Sequence, residues 1–227
     1  MHWSVMIFAA GFGTRMKHLT RDRPKPMVCV DGRPMIDHAL ALARDLPAET
    51  IVANLHYKPE ILAAHLKGTG VRTVLETPDI LDTGGGLRNA MPLLGNPTVM
   101  TLNPDVIWHG PNPLKLLETA WEPDVMDGLL MCIPNDRSVG HQGRGNFVID
   151  GSGRITRGDG VIYGGAQIIK TERLMDIPDE VFSLNRLWDI LIAENSLYAM
   201  EFDGFWCDVG HPDGIAEAEK LLRAQDV

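Results

Sequence analysis

Cysteine is scarce in this chain: three residues in 227, Cys29, Cys132 and Cys207. Their odd number and wide spacing argue against a disulfide framework or a paired-cysteine metal motif, and predict a reducing, cytoplasmic setting. Long apolar runs are missing too. The stretch Val5–Ala10 is too short for a signal peptide, and no run approaches the roughly 20 residues of a membrane span. Positive charge is in deficit, with 21 Lys and Arg against 30 Asp and Glu, for a net charge of −9. That balance argues against wholesale binding to nucleic acid or to an anionic membrane. Neither an internal repeat nor a low-complexity linker interrupts the sequence. What is present is ordinary globular composition, 44% hydrophobic and 22% charged, in a length that supports one core of normal size.

Short apolar segments alternate with amphipathic ones through the first half. Ser4–Phe8, Thr50–Asn54, Arg72–Leu75 and Val99–Leu102 read as strands. Pro34 suits the first turn of a helix whose apolar stripe is Met35, Ile36, Ala39, Leu40, Leu42, Ala43 and Leu46. Pro59–Leu66 and the segment from Gly84 to about Met91 read as two more helices. This alternation predicts an α/β fold, a mostly parallel sheet covered by helices on both faces. The pattern changes after about Gly128. Gly128–Ile133, Asn146–Asp150, Arg154–Thr156 and Gly165–Ile169 read as shorter strands, with a strong turn at Asp150-Gly151-Ser152-Gly153. Leu184–Glu194 and Pro212–Leu222 read as helices. The expectation is a single domain over 1–227, with halves of about 1–127 and 128–227, the second adding a small antiparallel elaboration.

One local exception to the acidic balance follows the first strand. Gly11-Phe12-Gly13-Thr14-Arg15 opens a segment in which Arg15, Lys17, Arg21, Arg23 and Lys25 fall within eleven residues. Glycines let backbone N–H groups approach a phosphate without an intervening Cβ, and the cations supply charge. Two familiar phosphate cradles are absent. No G-x-x-x-x-G-K-[ST] string occurs, and the G-x-G-x-x-G fingerprint fails because Met16 stands at its last position. Taken alone, the glycines are equally those of a tight turn before a solvated charged loop.

The longer string is more specific. Ala9-Ala10-Gly11-Phe12-Gly13-Thr14-Arg15-Met16, then Leu19-Thr20 and Pro24-Lys25-Pro26, resembles the signature of the sugar-phosphate nucleotidyltransferases, with His18 where the family usually has proline. Leu81–Gly86 resembles the family's L-x-T-G/A-G loop. Leu102-Asn103-Pro104-Asp105 resembles its N-G-D metal motif, with Pro104 replacing glycine. Trp206-Cys207-Asp208-Val209-Gly210 matches its W-x-D-V/I-G motif. The likeness is nearest to short members that act in cell-wall recycling, which share the triple glycine and a G-R-G-[DN]-F string like Gly143–Phe147. The longer members' F-x-E-K-P motif is absent, as is room for a β-helical acetyltransferase.

The resemblance implies a Rossmann-like fold whose first half binds nucleotide and whose second binds sugar phosphate. It assigns Arg15 to the β/γ-phosphates and Lys25 to the α-phosphate and the incoming sugar phosphate. Asp105 and Asp208 would hold one Mg²⁺, a hard cation suited to carboxylates. Ala10, Gly11, Gly13 and Thr14 would line the nucleotide with Gly84 and Gly85, the last two against base or ribose. Glu76 or Thr77 would read the base edge, and Gly145 and Asn146 would grip the sugar. His141 reads as a polar surface residue. The implied partners are an NTP, UTP ahead of GTP, and a sugar 1-phosphate. The implied reaction needs no protein base, because the attacking phosphate is already ionised. Alternatives at this stage are a guanylyltransferase acting on mannose or heptose 1-phosphate, and a noncatalytic subunit that binds NDP-sugar.

Overall fold

The structure, a computed structural model, describes residues 2–141 and 143–224. In chain order the strands are β1 (Trp3–Ile7), β2 (Cys29–Val30), β3 (Arg33–Pro34), β4 (Ala48–Leu55), β5 (Arg72–Leu75), β6 (Thr98–Leu102), β7 (Val106–His109), β8 (Gly128–Ile133), β9 (Ser138–Val139), β10 (Phe147–Ile149), β11 (Ile155–Arg157), β12 (Ile162–Lys170), β13 (Leu197–Glu201) and β14 (Phe205–Asp208). The helices are α1 (Met35–Arg44), α2 (Pro59–Leu66), α3 (Asp82–Leu94), α4 (Pro113–Ala120), α5 (Leu184–Ala193) and α6 (Pro212–Arg223).

Seven strands form the central sheet in the order β13-β8-β12-β6-β1-β4-β5. β12 runs antiparallel to both of its neighbours and the other pairings are parallel. The second half therefore extends the main sheet with β8, β12 and β13. The separate small sheets are β10-β11, β2-β3 and β7-β14-β9.

Burial on both faces explains the solid apolar reading of β1. Val5 and Ile7 face one core with α1, α2 and α4, while Met6 faces another with α3 and α5. All three are fully buried, each contributing about 1.5–3 kcal/mol. A third cluster joins Met16, Val28 and Val30 of the basic segment to Ile107, Cys207, Val209 and Ala218. That cluster anchors a long, charged loop against β7, β14 and α6.

Several boundaries shift from the sequence reading by a residue or more, and at α3 and β12 the structure shows why. α3 runs past Pro92 to Leu94, since a proline in the last turn removes one hydrogen bond and Gly95, at φ 68°, caps the end by donating its N–H to the Met91 carbonyl. β12 begins at Ile162, ahead of the expected Gly165, because Gly164-Gly165 is a bulge inside the strand. The bulge faces the loop after β6, where the Asn103 N–H donates to the Gly165 carbonyl at 2.8 Å.

Candidate active site

β1 is flanked by β4 on one side and β6 on the other, so the chain reverses its direction of winding there. Open α/β sheets bind ligands beyond the carboxyl ends of strands at such a point. Two adjoining cavities lie there. The first, about 220 Å³, is lined by Ala10, Gly11, Asn54, Glu76, Asn103 and Asp105, among others. The second, about 290 Å³, is lined by Asn146, Arg157, Tyr163, Ser183, Asn185 and Trp188, among others. Phe8, Asp82, Thr83 and Asn103 line both. Neither reaches the roughly 300–1,000 Å³ usual for small-molecule sites, but joined they do.

The floor of the first cavity is a polar relay. The Ala9 N–H donates to Asn54 Oδ1 at 2.7 Å, and Asn54 Nδ2 donates to Glu76 Oε1 at 2.6 Å. Glu76 Oε2 accepts from the Leu81 N–H at 2.8 Å. A carboxylate only 1% exposed must be satisfied where it sits, and these bonds tie together the ends of β1, β4, β5 and α3. Glu76 does reach the expected cavity, with its oxygens turned to the protein's own donors.

Gly84 and Gly85 pack against the chain itself. Both are buried, and their N–H groups donate to the Phe182 carbonyl at 2.9 and 3.0 Å. A Cβ on Gly84 would overlap the Phe182 ring, and one on Gly85 the Glu180 carbonyl. These glycines admit the chain's own 180–182 segment. Asp82 and Thr83, just before them, are the residues of this loop that line the cavities.

In the basic segment, Gly13 has φ 63°, and a Cβ there would lie 2.7 Å from Lys25 Cβ. Glycine thus serves both the left-handed turn and the close passage of Lys25. Thr20 Oγ1 donates to the Gly13 carbonyl at 3.0 Å and fixes the loop. Thr14 is exposed at the start of the following 3-10 turn, outside both cavity linings. Lys25 is buried between Pro24 and Pro26, and its Nζ lies 2.6 Å from Asp105 Oδ2.

Asp105 and Asp208 are distant in sequence but adjacent in space. β14 pairs antiparallel with β7, setting Asp208 opposite Val106, and the Val209 N–H donates to the Asp105 carbonyl at 3.0 Å. Burial holds the Asp208 carboxyl above its usual range, and the Asp105 charge adds to the shift. Lys25, Arg15 and His141 oppose it. Arg15 reaches the same place: a Cβ on Gly210 would lie 3.0 Å from Asp208 Oδ1 and 3.3 Å from Arg15 Nη1. The structure thus gathers Arg15, Lys25, Asp105 and Asp208, as the motifs imply.

His141 departs from the sequence reading. It is half-buried, with Nδ1 4.0 Å from Asp208 Oδ2 and its ring against Trp206. Gly145 and Asn146, neighbours in sequence, separate: Asn146 lines the second cavity and accepts the Tyr163 N–H at 2.9 Å. Gly145 lines a different hollow with His141, Arg144 and Asp159. Arg157, Tyr163, Ser183, Asn185 and Trp188 have no motif to announce them.

Among the described residues, no group of three or more His, Cys, Asp or Glu could hold a metal. The donors that do fit a cation are the two acids, with Lys25 Nζ standing as the positive charge on one of them. A pair of carboxylates completed by phosphate oxygens and water suits Mg²⁺.

A crevice at the switch point of a mostly parallel sheet, with a cationic arm facing two acids, defines a nucleotide-handling α/β transferase. The chain belongs to the MobA-like NTP transferase family, matched over residues 5–165, and within it to the sugar-phosphate nucleotidyltransferases. An N-acetylmuramate alpha-1-phosphate uridylyltransferase of Caulobacter vibrioides is 37% identical, over 96% of this chain and 96% of that protein. The mannose-1-phosphate guanyltransferase of Saccharomyces cerevisiae is 27% identical, over 91% of this chain and 61% of its own length. The crystal structure of HddC from Yersinia pseudotuberculosis complexed with GMP-PN shares the fold, with a TM-score of 0.78 over 97% of this chain and 99% of that one, at 23% identity.

Proposed function

We propose that the chain joins UTP to N-acetylmuramic acid 1-phosphate, forming UDP-N-acetylmuramic acid and releasing pyrophosphate, a step of cell-wall recycling. The observation that carries this reading is the cluster of Arg15, Lys25, Asp105 and Asp208, which meets the first cavity at Asp105. The sugar phosphate attacks the α-phosphorus of UTP through an oxygen already ionised at neutral pH, so no side chain need take a proton. The demand on the protein is in-line alignment and neutralisation of crowded negative charge. Lys25 sits deepest and suits the α-phosphate and the incoming phosphate. Arg15, more exposed, suits the departing pyrophosphate, which a planar guanidinium grips at two oxygens. Asp105 and Asp208 would hold Mg²⁺, which supplies charge neutralisation on the triphosphate.

The choice of UTP and a muramic acid sugar follows the relative that is 37% identical over nearly the whole length of both chains. A guanylyl reading with mannose 1-phosphate has the 27% relative in its favour. The test is pyrophosphate release across four NTPs and a panel of sugar 1-phosphates. Turnover with UTP and the muramyl phosphate supports the proposal. Turnover with GTP alone replaces it with the guanylyl reading, and silence throughout favours a noncatalytic NDP-sugar binder. In the active pair, Arg15→Ala should still bind sugar phosphate while losing most turnover.

A further inference from the structure

We infer that Arg157 recognises a carboxylate on the sugar, so that the second cavity selects an acidic sugar 1-phosphate over its neutral parent. The inference rests on the proposed function, with the phosphates at Lys25, and takes the second cavity, which Asn146 lines, as the sugar's. Arg157 ends β11 and is the one cation among the described residues that line the cavity. The acid of that lining near the phosphate end is Asp82, which lines both cavities.

The guanidinium is fixed from several directions. Nε lies 2.9 Å and Nη2 2.8 Å from Asp189 Oδ1, and Nη2 also donates to the Asn185 carbonyl at 3.2 Å. Its Cζ lies 4.8 Å from the Phe147 ring centre and 5.7 Å from that of Trp188. These bonds use Nε and Nη2, and among the described residues Nη1 has no hydrogen-bond partner. Stability does not account for the arrangement. The Arg157 and Asp189 side chains are 39% and 59% exposed, and exposed pairs of that kind contribute little. Asp189 and the Asn185 carbonyl hold Nε and Nη2 in place, and Nη1, on a cavity wall and without a partner, is left to give one charge-assisted hydrogen bond to an anion.

The sugar chemistry offers a matched pair. N-acetylmuramic acid is N-acetylglucosamine carrying a lactyl ether, whose carboxylate is ionised at neutral pH. The two 1-phosphates differ in that group alone. With UTP as co-substrate, Arg157→Met keeps the aliphatic stem over Phe147 and Trp188 and removes the charge. It should raise KM for N-acetylmuramic acid 1-phosphate about 10- to 100-fold, the loss of a charge-assisted hydrogen bond. Its kcat should stay within a few-fold, and KM for UTP and for N-acetylglucosamine 1-phosphate should not move. A second arm needs no variant: the wild-type protein should handle the methyl ester of the lactyl group as poorly as Arg157→Met handles the acid, and Arg157→Met should not distinguish ester from acid. Equal losses with both sugars, or an ester as good as the acid, overturn the inference while leaving the proposed function standing. A wild-type protein inactive with UTP and either 1-phosphate, yet active elsewhere in the panel, overturns both.

Discussion

Asp105 and Asp208 carry the same charge in one site but stand in different surroundings, and the difference sets the sign of what each contributes to stability. Asp105 takes its cation directly from Lys25. Asp208 has His141 Nδ1 only at 4.0 Å, and burial together with Asp105 raises its pKa against the opposing charges of Lys25, Arg15 and His141. A carboxyl that holds its proton more tightly folded than unfolded destabilises the fold once ionised, and that penalty grows as pH rises through the folded value. In metal-free protein, Asp208→Asn should therefore raise Tm at pH 7 by about 2–4 °C, the equivalent of about 1 kcal/mol in a chain of this size. Near pH 4, where an ordinary carboxyl is half protonated, the gain should shrink. Asp105→Asn should act oppositely, leaving the Lys25 ammonium, in a side chain only 10% exposed, without its ion pair. A loss of about 1–3 kcal/mol is expected. Both variants should lose transferase activity, so calorimetry at two pH values separates what turnover alone would not. A Tm that falls equally in both would refute the asymmetry.

At the scale of the element, the sugar-side wall depends on α3 holding a segment that has no regular structure of its own. Arg88 of α3 donates to the Ile177 carbonyl at 2.7 Å and stacks its guanidinium 4.8 Å from the Phe182 ring. Thr83 Oγ1 accepts the Leu184 N–H at 2.9 Å, docking the start of α5. Arg88→Ala should thus loosen 177–183, lower Tm by several degrees and raise KM for the sugar phosphate several-fold, with KM for UTP unchanged. An equal rise in both constants, measured by steady-state kinetics, would place the effect elsewhere. This part of the site was not readable in the sequence, because it is made of carbonyls and a loop. What the sequence did carry was local. Pro59–Leu66, Arg72–Leu75 and Gly128–Ile133 are α2, β5 and β8 to the residue, each marked by a proline start or a short apolar run. α4 escaped notice, although Asn112-Pro113 is a cap followed by the residue favoured at N1, with Asn112 Oδ1 accepting the Leu114 N–H. β13 was hidden in the short run after α5. The acids and cations of the site were readable from their motifs. The packing of Gly84 and Gly85 was not, because the 180–182 segment that fills the space beside them lies far along the chain.

Across the whole molecule, the site is assembled from a loop of the main sheet and from a separate small sheet. Arg15 and Lys25 come from the loop after β1, while β7 begins just after Asp105 and β14 ends at Asp208, within the three-stranded β7-β14-β9 sheet. The shared apolar cluster of Met16, Val28, Ile107, Cys207 and Val209 is what holds these pieces in register. A ligand that bridges them adds its binding free energy to the fold, about 2.7 kcal/mol at a concentration 100 times its Kd. With roughly 2–4 °C of Tm per kcal/mol at this length, Mg²⁺ with UTP should raise Tm by about 5–10 °C, and chelation should return it to the metal-free value. Mg²⁺ without nucleotide should shift it less, since two carboxylates leave most of the coordination sphere to phosphate and water. The same titration on Asp208→Asn tests whether the metal is held jointly: its Tm should start higher and respond far less to Mg²⁺ with UTP. A variant that responds as fully as the wild-type protein would mean that Asp208 is not a metal ligand, and that the pairing of β7 with β14 serves the fold alone.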